Sequence, residues 1–240
     1  WIRKIFIVTD NQKPKWLDIS NPKIQIIDQN NLLPHKSLPC FNSNVLEHCL
    51  YKIPNLSEHF LLSNDDMFLN KTVLSTTFFA KDGFPIIRLN RKPFRKFRWF
   101  LREQIFKNPH KLYSKALFNA AELVKQKFGI FYNGLPHHNI DSYLKSDCIR
   151  VAEEIFKNEI DLTKINHIRS VNDVQRIVYS YVALAEKRGH LKFVSRKESL
   201  HVHIQKEKHY EKLKKFNPTF FCMNDTEYAD DNDRMKLKVW

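Results

Sequence analysis

At 240 residues, 42% of them hydrophobic, the chain can bury a core in one or two domains and is neither disordered nor fibrous in composition. Its 4 glycines form no P-loop and no GxGxxG run, which excludes a glycine-rich phosphate cradle. The net charge of +14 is concentrated: residues 1–70 hold seven basic and seven acidic side chains, whereas residues 71–128 hold fourteen and three, a net of +11 suited to nucleic acid, an anionic membrane surface or an anionic polysaccharide.

Arg3 to Thr9 reads as a strand, followed at its carboxyl end by the polar loop Thr9 to Gln12. Trp1 in place of an initiator Met, with a strand under way by residue 3, predicts that further strands precede this stretch. Lys23 to Asp28 is a second strand with the same polar ending, and Asn30 to Pro39 is a Pro-punctuated loop. Asn42 or Ser43 is placed to cap a helix carrying Val45, Leu46, Cys49 and Leu50 at helical spacing. His59 to Ser63 is a third strand, halted by Asn64, Asp65 and Asp66. Two adjacent carboxylates there are costly unless a cation or hydrogen bonds compensate them, and ligands of open α/β sheets bind at such strand ends. An oxygen-rich pair suits Mg²⁺ or Mn²⁺ bridging to substrate phosphates; on the dipeptide alone, a turn with solvated acids is the commoner case.

Short strands are expected at Phe78–Phe79 and Pro85–Ile87, then the chain turns helical. Pro93 to Lys107 carries a stripe of Phe94, Phe97, Leu101 and Ile105 for the core, with Arg91, Arg95, Arg98 and Arg102 on an adjoining face beside Trp99 and Phe100. That face is either solvated or a surface for an anionic partner. Lys111 to Phe128 is a helix closed by Gly129. Gly134 to Asp141, with His137 and His138, is a loop feeding a predicted helix with Ile140, Leu144, Cys148, Val151 and Ile155. Paired histidines before a helix suit a general base or a phosphate contact, or are ordinary loop residues.

Ser170 and Asp173 form a capping-box pattern for a helix carrying Val174, Ile177, Val178 and Tyr181, which puts Arg169 at a helix N-terminus, where anions are favoured. Past Gly189, HLKFVS and SLHVHI read as strands; His201 and His203 share a strand face but lack a third ligand at metal-binding spacing. His209 to Phe216 is a basic helix, Thr219 to Cys222 a strand followed by Asn224 and Asp225, and Tyr228 to Asp233 a solvated acidic segment. Cys40, Cys49, Cys148 and Cys222 are scattered, as expected of reduced thiols in a cytosolic protein, and no apolar run approaches the roughly 20 residues that span a bilayer.

Five blocks carry a resemblance: WIRKIFIVTDNQKPKWL, LPCFNSNVLEHCLYKIPNLSEHFLLSNDDMFL, PHHNID, HIRSVNDV and FFCMND. In order, they resemble three of the four conserved regions of the Stealth family, which includes bacterial capsular polysaccharide phosphotransferases and the animal lysosomal-enzyme N-acetylglucosamine-1-phosphotransferase. The family's first region, an apolar strand ending near a DxVYTWV-like motif, has no counterpart here.

The resemblance implies an α/β, glycosyltransferase-A-like (Rossmann-like) sheet with a large helical portion. It divides the chain into a nucleotide-sugar and metal part over residues 1–90, a mainly helical part with the basic segment over 91–188, and strands and a helix returning to the site over 189–240. The implied reaction moves a sugar 1-phosphate from a nucleotide diphosphosugar, a UDP-linked amino sugar by preference, to a hydroxyl of a growing anionic capsular polysaccharide, releasing a nucleoside monophosphate. Asp65 and Asp66 would hold Mg²⁺ or Mn²⁺ with Asn64 orienting them or contacting substrate, His138 would take the acceptor proton or stabilise the phosphoryl group, and Arg169 would clamp phosphate. Gln12, Asn42, Ser43, Asn224 and Asp225 would contact substrate. The expected setting is the cytoplasm, with peripheral contact at the inner face of the cytoplasmic membrane and no nucleic-acid partner. The alternatives are a metal-dependent glycosyltransferase attacking the sugar carbon, and a noncatalytic polyanion-binding module.

Overall fold

The computed structural model describes residues 1–237. Among them the strands are β1 (Ile5–Thr9), β2 (Ile24–Asp28), β3 (His59–Leu62), β4 (Met67–Leu69), β5 (Ile86–Asn90), β6 (Leu135–Pro136), β7 (Asp141–Leu144), β8 (His190–Phe193), β9 (Ser199–His203) and β10 (Phe220–Asn224). The helices are α1 (Ser43–Glu47), α2 (Arg95–Phe100), α3 (Leu112–Phe128), α4 (Lys145–Arg150), α5 (Lys157–Lys164), α6 (Ile177–Ala185), α7 (Glu207–Phe216) and α8 (Asp231–Leu237). The fold is mixed α/β, as expected, with its strands in sheets of two and three. Two compact units divide the described residues: 1–60, 95–132 and 143–188 make the first, and 61–94, 133–142 and 189–237 make the second.

In the first unit β1 and β2 run parallel from Ile5↔Ile24 to Thr9↔Asp28, so the polar endings of both strands lie side by side. Ile27, Leu32, Leu33, Val45, Cys49 and Ile53 bury together beneath them, joined by Phe6 and Val8. α3 ends on Gly129 at φ 77, whose N–H donates to Lys125 O at 2.8 Å, the left-handed stop expected of a glycine there. The helix expected from Ser170 begins only at Ile177. Asp173 is fully buried and its carboxylate is drawn inward: it accepts Asn42 Nδ2 and Asn166 Nδ2 at 2.7 Å, Ser170 N–H at 3.0 Å and Asn44 Nδ2 at 3.3 Å. Its acceptor capacity goes to joining distant loops, so it does not start a helix.

The basic segment departs most from expectation. α2 is followed by a π turn over Leu101–Ile105, and the inward positions belong to Trp99 and Arg95. Trp99 stacks on His110 and Phe118 at centroid distances of 3.4 and 4.2 Å, and the Arg95 guanidinium lies over the Phe118 and Phe131 rings. Phe97 and Ile105 of the expected core stripe face solvent, and so does Phe94. The arginines expected on one adjoining face do not all present themselves there: Arg95 is buried, Arg102 donates to Asn108 O at 3.2 Å, and Arg91 lies over the Phe193 ring. Ile140 and Leu144 also part from prediction, because β7 is extended and the helix starts at Lys145. A spacing of four suits one face of a helix turn and one face of a strand equally.

In the second unit β10 is central to a three-stranded sheet, antiparallel to β4 (Cys222↔Met67) and parallel to β9 (Cys222↔His201, Asn224↔His203). Strand alternation splits its side chains cleanly. Leu200, Val202, Phe221 and Met223 pack against Tyr210 and Leu213 of α7. The opposite face carries Phe220, Cys222 and Asn224, where Phe220 buries with Met67, Phe78 and Ile140. Phe78 follows a 3-10 turn and forms no strand, while Phe79 makes a single bridge to Pro85. β5 pairs with β6 and β8, and Gly134 before β6 admits no side chain, since a Cβ would meet Leu89 at 2.8 Å. The acidic segment expected to be solvated leads into α8, capped by Asp233 N–H donating to Asp230 Oδ1 at 2.8 Å and Asp230 N–H to Asp233 Oδ2 at 3.3 Å.

Candidate functional site

Asp66 stands between the turn that ends β3 and the start of β4. Its backbone O accepts Met223 N–H at 2.8 Å, which fixes it beside β10. Oδ2 accepts the Cys222 thiol at 3.0 Å and Asn224 Nδ2 at 3.2 Å, and lies 3.3 Å from His138 Nε2. Burial opposes ionisation of this carboxyl, but hydrogen bonds from His138, Cys222 and Asn224, with the charge of His138, outweigh it and hold Asp66 down to about 2. Burial, with Asp66 alongside, pushes the Cys222 thiol well up. Asp66 Oδ1 is buried and has no hydrogen-bond partner. An ionised carboxylate with one unsatisfied buried oxygen fits a hard divalent cation, and exposed Asp65 supplies a second carboxylate next to it. Asn64 closes the turn, its O accepting Met67 N–H at 3.3 Å.

His138 has φ 54, in the left-handed region, which costs a residue with a side chain roughly 1–3 kcal/mol unless its surroundings impose it. The neighbours do impose it. His137 is buried, with Nε2 3.2 Å from Asp141 and Nδ1 3.3 Å from Ser199 Oγ, and Asn139 Nδ2 donates to the same hydroxyl at 2.7 Å. His137 therefore pins the loop to β9, and His138 is the one turned to Asp66. The His201 ring lies 5.3 Å from the His138 ring, and although the side chain is exposed at its outer surface, partial desolvation, followed by the charges of His138 and His203, lowers His201 to about 4.

Of the residues singled out from sequence, Asp66, His138 and Asn224 thus meet, with Asn64 and Asp65 in the adjoining turn. Asp225 turns away and pairs with Arg234 at 2.9 Å. Gln12, Asn42, Ser43 and Arg169 belong to the first unit. Arg169 is exposed, donates to Ser43 Oγ at 3.1 Å and lies over the Tyr113 ring, so it is in an open loop and not at a helix N-terminus. Gln12 is exposed at the end of β1, its N–H donating to Thr9 Oγ1 at 3.3 Å. Asn42 is buried and fully engaged, its Oδ1 accepting Asn44 N–H and its amide donating to Asp173, which makes it structural. His201 was singled out only together with His203, and Cys222 escaped the sequence; the β9–β10 register is what sets Cys222 beside His201.

Comparison with known proteins agrees with the blocks that resemble the family. Residues 1–87 match the family model described as Stealth protein CR2, conserved region 2. The chain is 32% identical over 249 residues to a capsular polysaccharide phosphotransferase of Haemophilus influenzae, covering 97% of this chain and 64% of that one. A capsular polysaccharide phosphotransferase of Neisseria meningitidis serogroup B is 32% identical over 242 residues, with 97% and 63% covered. An exopolysaccharide phosphotransferase of Lactiplantibacillus plantarum is 47% identical over 85 residues, 35% of this chain and 25% of that one. The chain therefore spans less than two thirds of the length of these curated relatives. It belongs to the Stealth family, whose conserved region 2 it carries.

Proposed function

We propose that the chain carries the metal and acid–base part of a phosphotransferase site, moving a sugar 1-phosphate from a nucleotide diphosphosugar to a hydroxyl of a growing capsular polysaccharide with release of a nucleoside monophosphate. The observation that carries this reading is the Asp66–His138 pair with Asp66 Oδ1 left unsatisfied in the interior. Phosphoryl transfer asks for positioning and charge neutralisation more than for covalent chemistry. Asp66 and Asp65 would hold Mg²⁺ or Mn²⁺, which supplies charge neutralisation on the diphosphate when bound. Asp66 engages one ring nitrogen of His138 and so orients the other to take the acceptor proton. Asn224 keeps the Asp66 carboxylate in place, while Arg169, Ser43 and Gln12 are the proposed phosphate and substrate contacts of the first unit.

No helix among the described residues is long and apolar enough to cross a membrane. The proposed location is the cytoplasmic face of the membrane, where nucleotide sugars and the growing chain meet. Solvent-facing Phe97, Phe100 and Phe106 interleaved with basic side chains support a peripheral contact there.

Product analysis of the full-length protein with a sugar-nucleotide donor tests the reaction. Release of the nucleoside monophosphate is expected; release of the diphosphate would make it a glycosyltransferase. Sugar nucleotide and Mg²⁺ should also raise the melting temperature jointly, which a noncatalytic binding module would not show.

A further inference from the structure

We infer that His138, His201 and Cys222 form a binding site for one thiophilic dication of the zinc or cadmium type, distinct from the oxygen-donor site assigned to Asp65 and Asp66. Their ligand atoms all lie within 4.8 Å of one another. The backbone explains the convergence. Cys222 and His201 are register partners on the parallel strands β10 and β9, so their side chains leave the sheet on the same face. The loop pinned by His137 and Asn139 on Ser199 then brings His138, in its left-handed conformation, over the pair.

The donor set selects the metal. One thiolate and two imidazoles are borderline-soft ligands that suit zinc, with the fourth position left to water, whereas Mg²⁺ and Mn²⁺ prefer carboxylate oxygens. Asp66 stands behind the set, 3.0 Å from Cys222 Sγ and 3.3 Å from His138 Nε2, as the outer carboxylate that ligating histidines commonly carry. On binding, the Cys222 S–H bond breaks, the proton passes to solvent, and a sulfur–metal bond forms, so affinity falls as pH falls. Occupancy also withdraws His138. If His138 takes the acceptor proton as proposed above, zinc inhibits transfer; the binding site itself does not depend on that reading.

The test uses the full-length protein without donor. Cd²⁺ alone is titrated and read by its thiolate charge-transfer absorbance, and Zn²⁺ affinity is measured by competition with a chromophoric chelator. One equivalent is expected. The band should be absent in Cys222→Ser, which keeps a hydroxyl donor for Asp66. His201→Asn, on an exposed side chain that leaves the fold intact, should weaken zinc by more than the ~10–100-fold that losing an outer-shell partner costs, while Mg²⁺-supported turnover persists. A band that survives in Cys222→Ser, or wild-type zinc affinity in His201→Asn, overturns the site. Stoichiometric zinc should stop wild-type turnover, reversibly with chelator, and spare His201→Asn. Zinc binding as described with turnover unaffected upholds the site and overturns the role given to His138.

Discussion

His138 Nε2 lies 3.3 Å from Asp66 Oδ2, although the two residues are 72 apart in sequence. The contact couples a strained loop position to a strand-edge carboxylate, so each residue sets the other's chemistry. Asp66 stays ionised because His138, Cys222 and Asn224 donate to it, and His138 keeps one orientation because Asp66 receives it.

Asp66→Asn is expected to lower transfer by at least ~100-fold, the usual cost of removing a group aimed at developing charge. It should also change acid stability in a defined direction. The folded-state value of about 2 lies below the ordinary 3.8, so ionised Asp66 stabilises the fold above pH 4, and that contribution disappears as pH falls through about 2. Urea midpoints of the wild type should therefore drop more steeply between pH 4 and 2 than those of Asp66→Asn. Parallel curves would remove the carboxylate from the account of stability.

The two neighbouring histidines should separate by assay. His138→Ala should lose turnover by ~100-fold or more with little change in melting temperature, as a positioned proton acceptor does. His137→Ala should do the reverse. It deletes a buried side chain held by Asp141 and Ser199, costing about 1–3 kcal/mol of stability, while the molecules that remain folded keep their turnover. Equal effects in both assays would leave the pair undifferentiated.

What was legible in the sequence followed local physics. β1, β2, β3, α3 with its Gly129 stop, and β9 each follow from alternation, periodicity or a terminal glycine, and the Asp65–Asp66 turn from its charge. What was not legible depended on partners far along the chain. Nothing local distinguishes Asp173 the helix cap from Asp173 the junction of four donors, three of them side-chain amides. Nor does helical spacing tell which face of residues 93–107 packs, because Trp99 can choose the inward side only once His110 and Phe118 are there to stack on. Cys222 and His201 needed strand register, which no single strand contains.

The Asp173 junction carries its own prediction. Asp173→Ala would leave the Asn44 amide and the Ser170 N–H without this acceptor and the Asn42 amide with only the longer bond to Ile168 O at 3.4 Å, at roughly 3–5 kcal/mol. Chemical denaturation should show that loss. A change below about 1 kcal/mol would mean that water or a rearranged loop replaces the carboxylate.

The basic segment decides between two partners. Phe97, Phe100, Ile105 and Phe106 are 61%, 56%, 58% and 72% exposed, and Arg98 and Lys107 are exposed among them. Aromatic side chains alternating with cations fit the interface of an anionic bilayer. Each cation near such a surface is worth about 1 kcal/mol, so Arg98→Glu, a change of two charges, should weaken sedimentation with phosphatidylserine vesicles about 30-fold. Phe97→Ser with Phe100→Ser should abolish it, and both variants should melt within about 0.5 kcal/mol of wild type because nothing buried is touched. Arg95 is no probe of this surface: buried against Phe118 and Phe131, its replacement by Glu should unfold the first unit. Raising salt should weaken vesicle binding of the wild type, since exposed charges are screened over about 8 Å at physiological ionic strength. If vesicle binding is unchanged in Arg98→Glu but turnover on long anionic acceptors falls while short ones are unaffected, the segment serves the polysaccharide and the membrane contact is wrong.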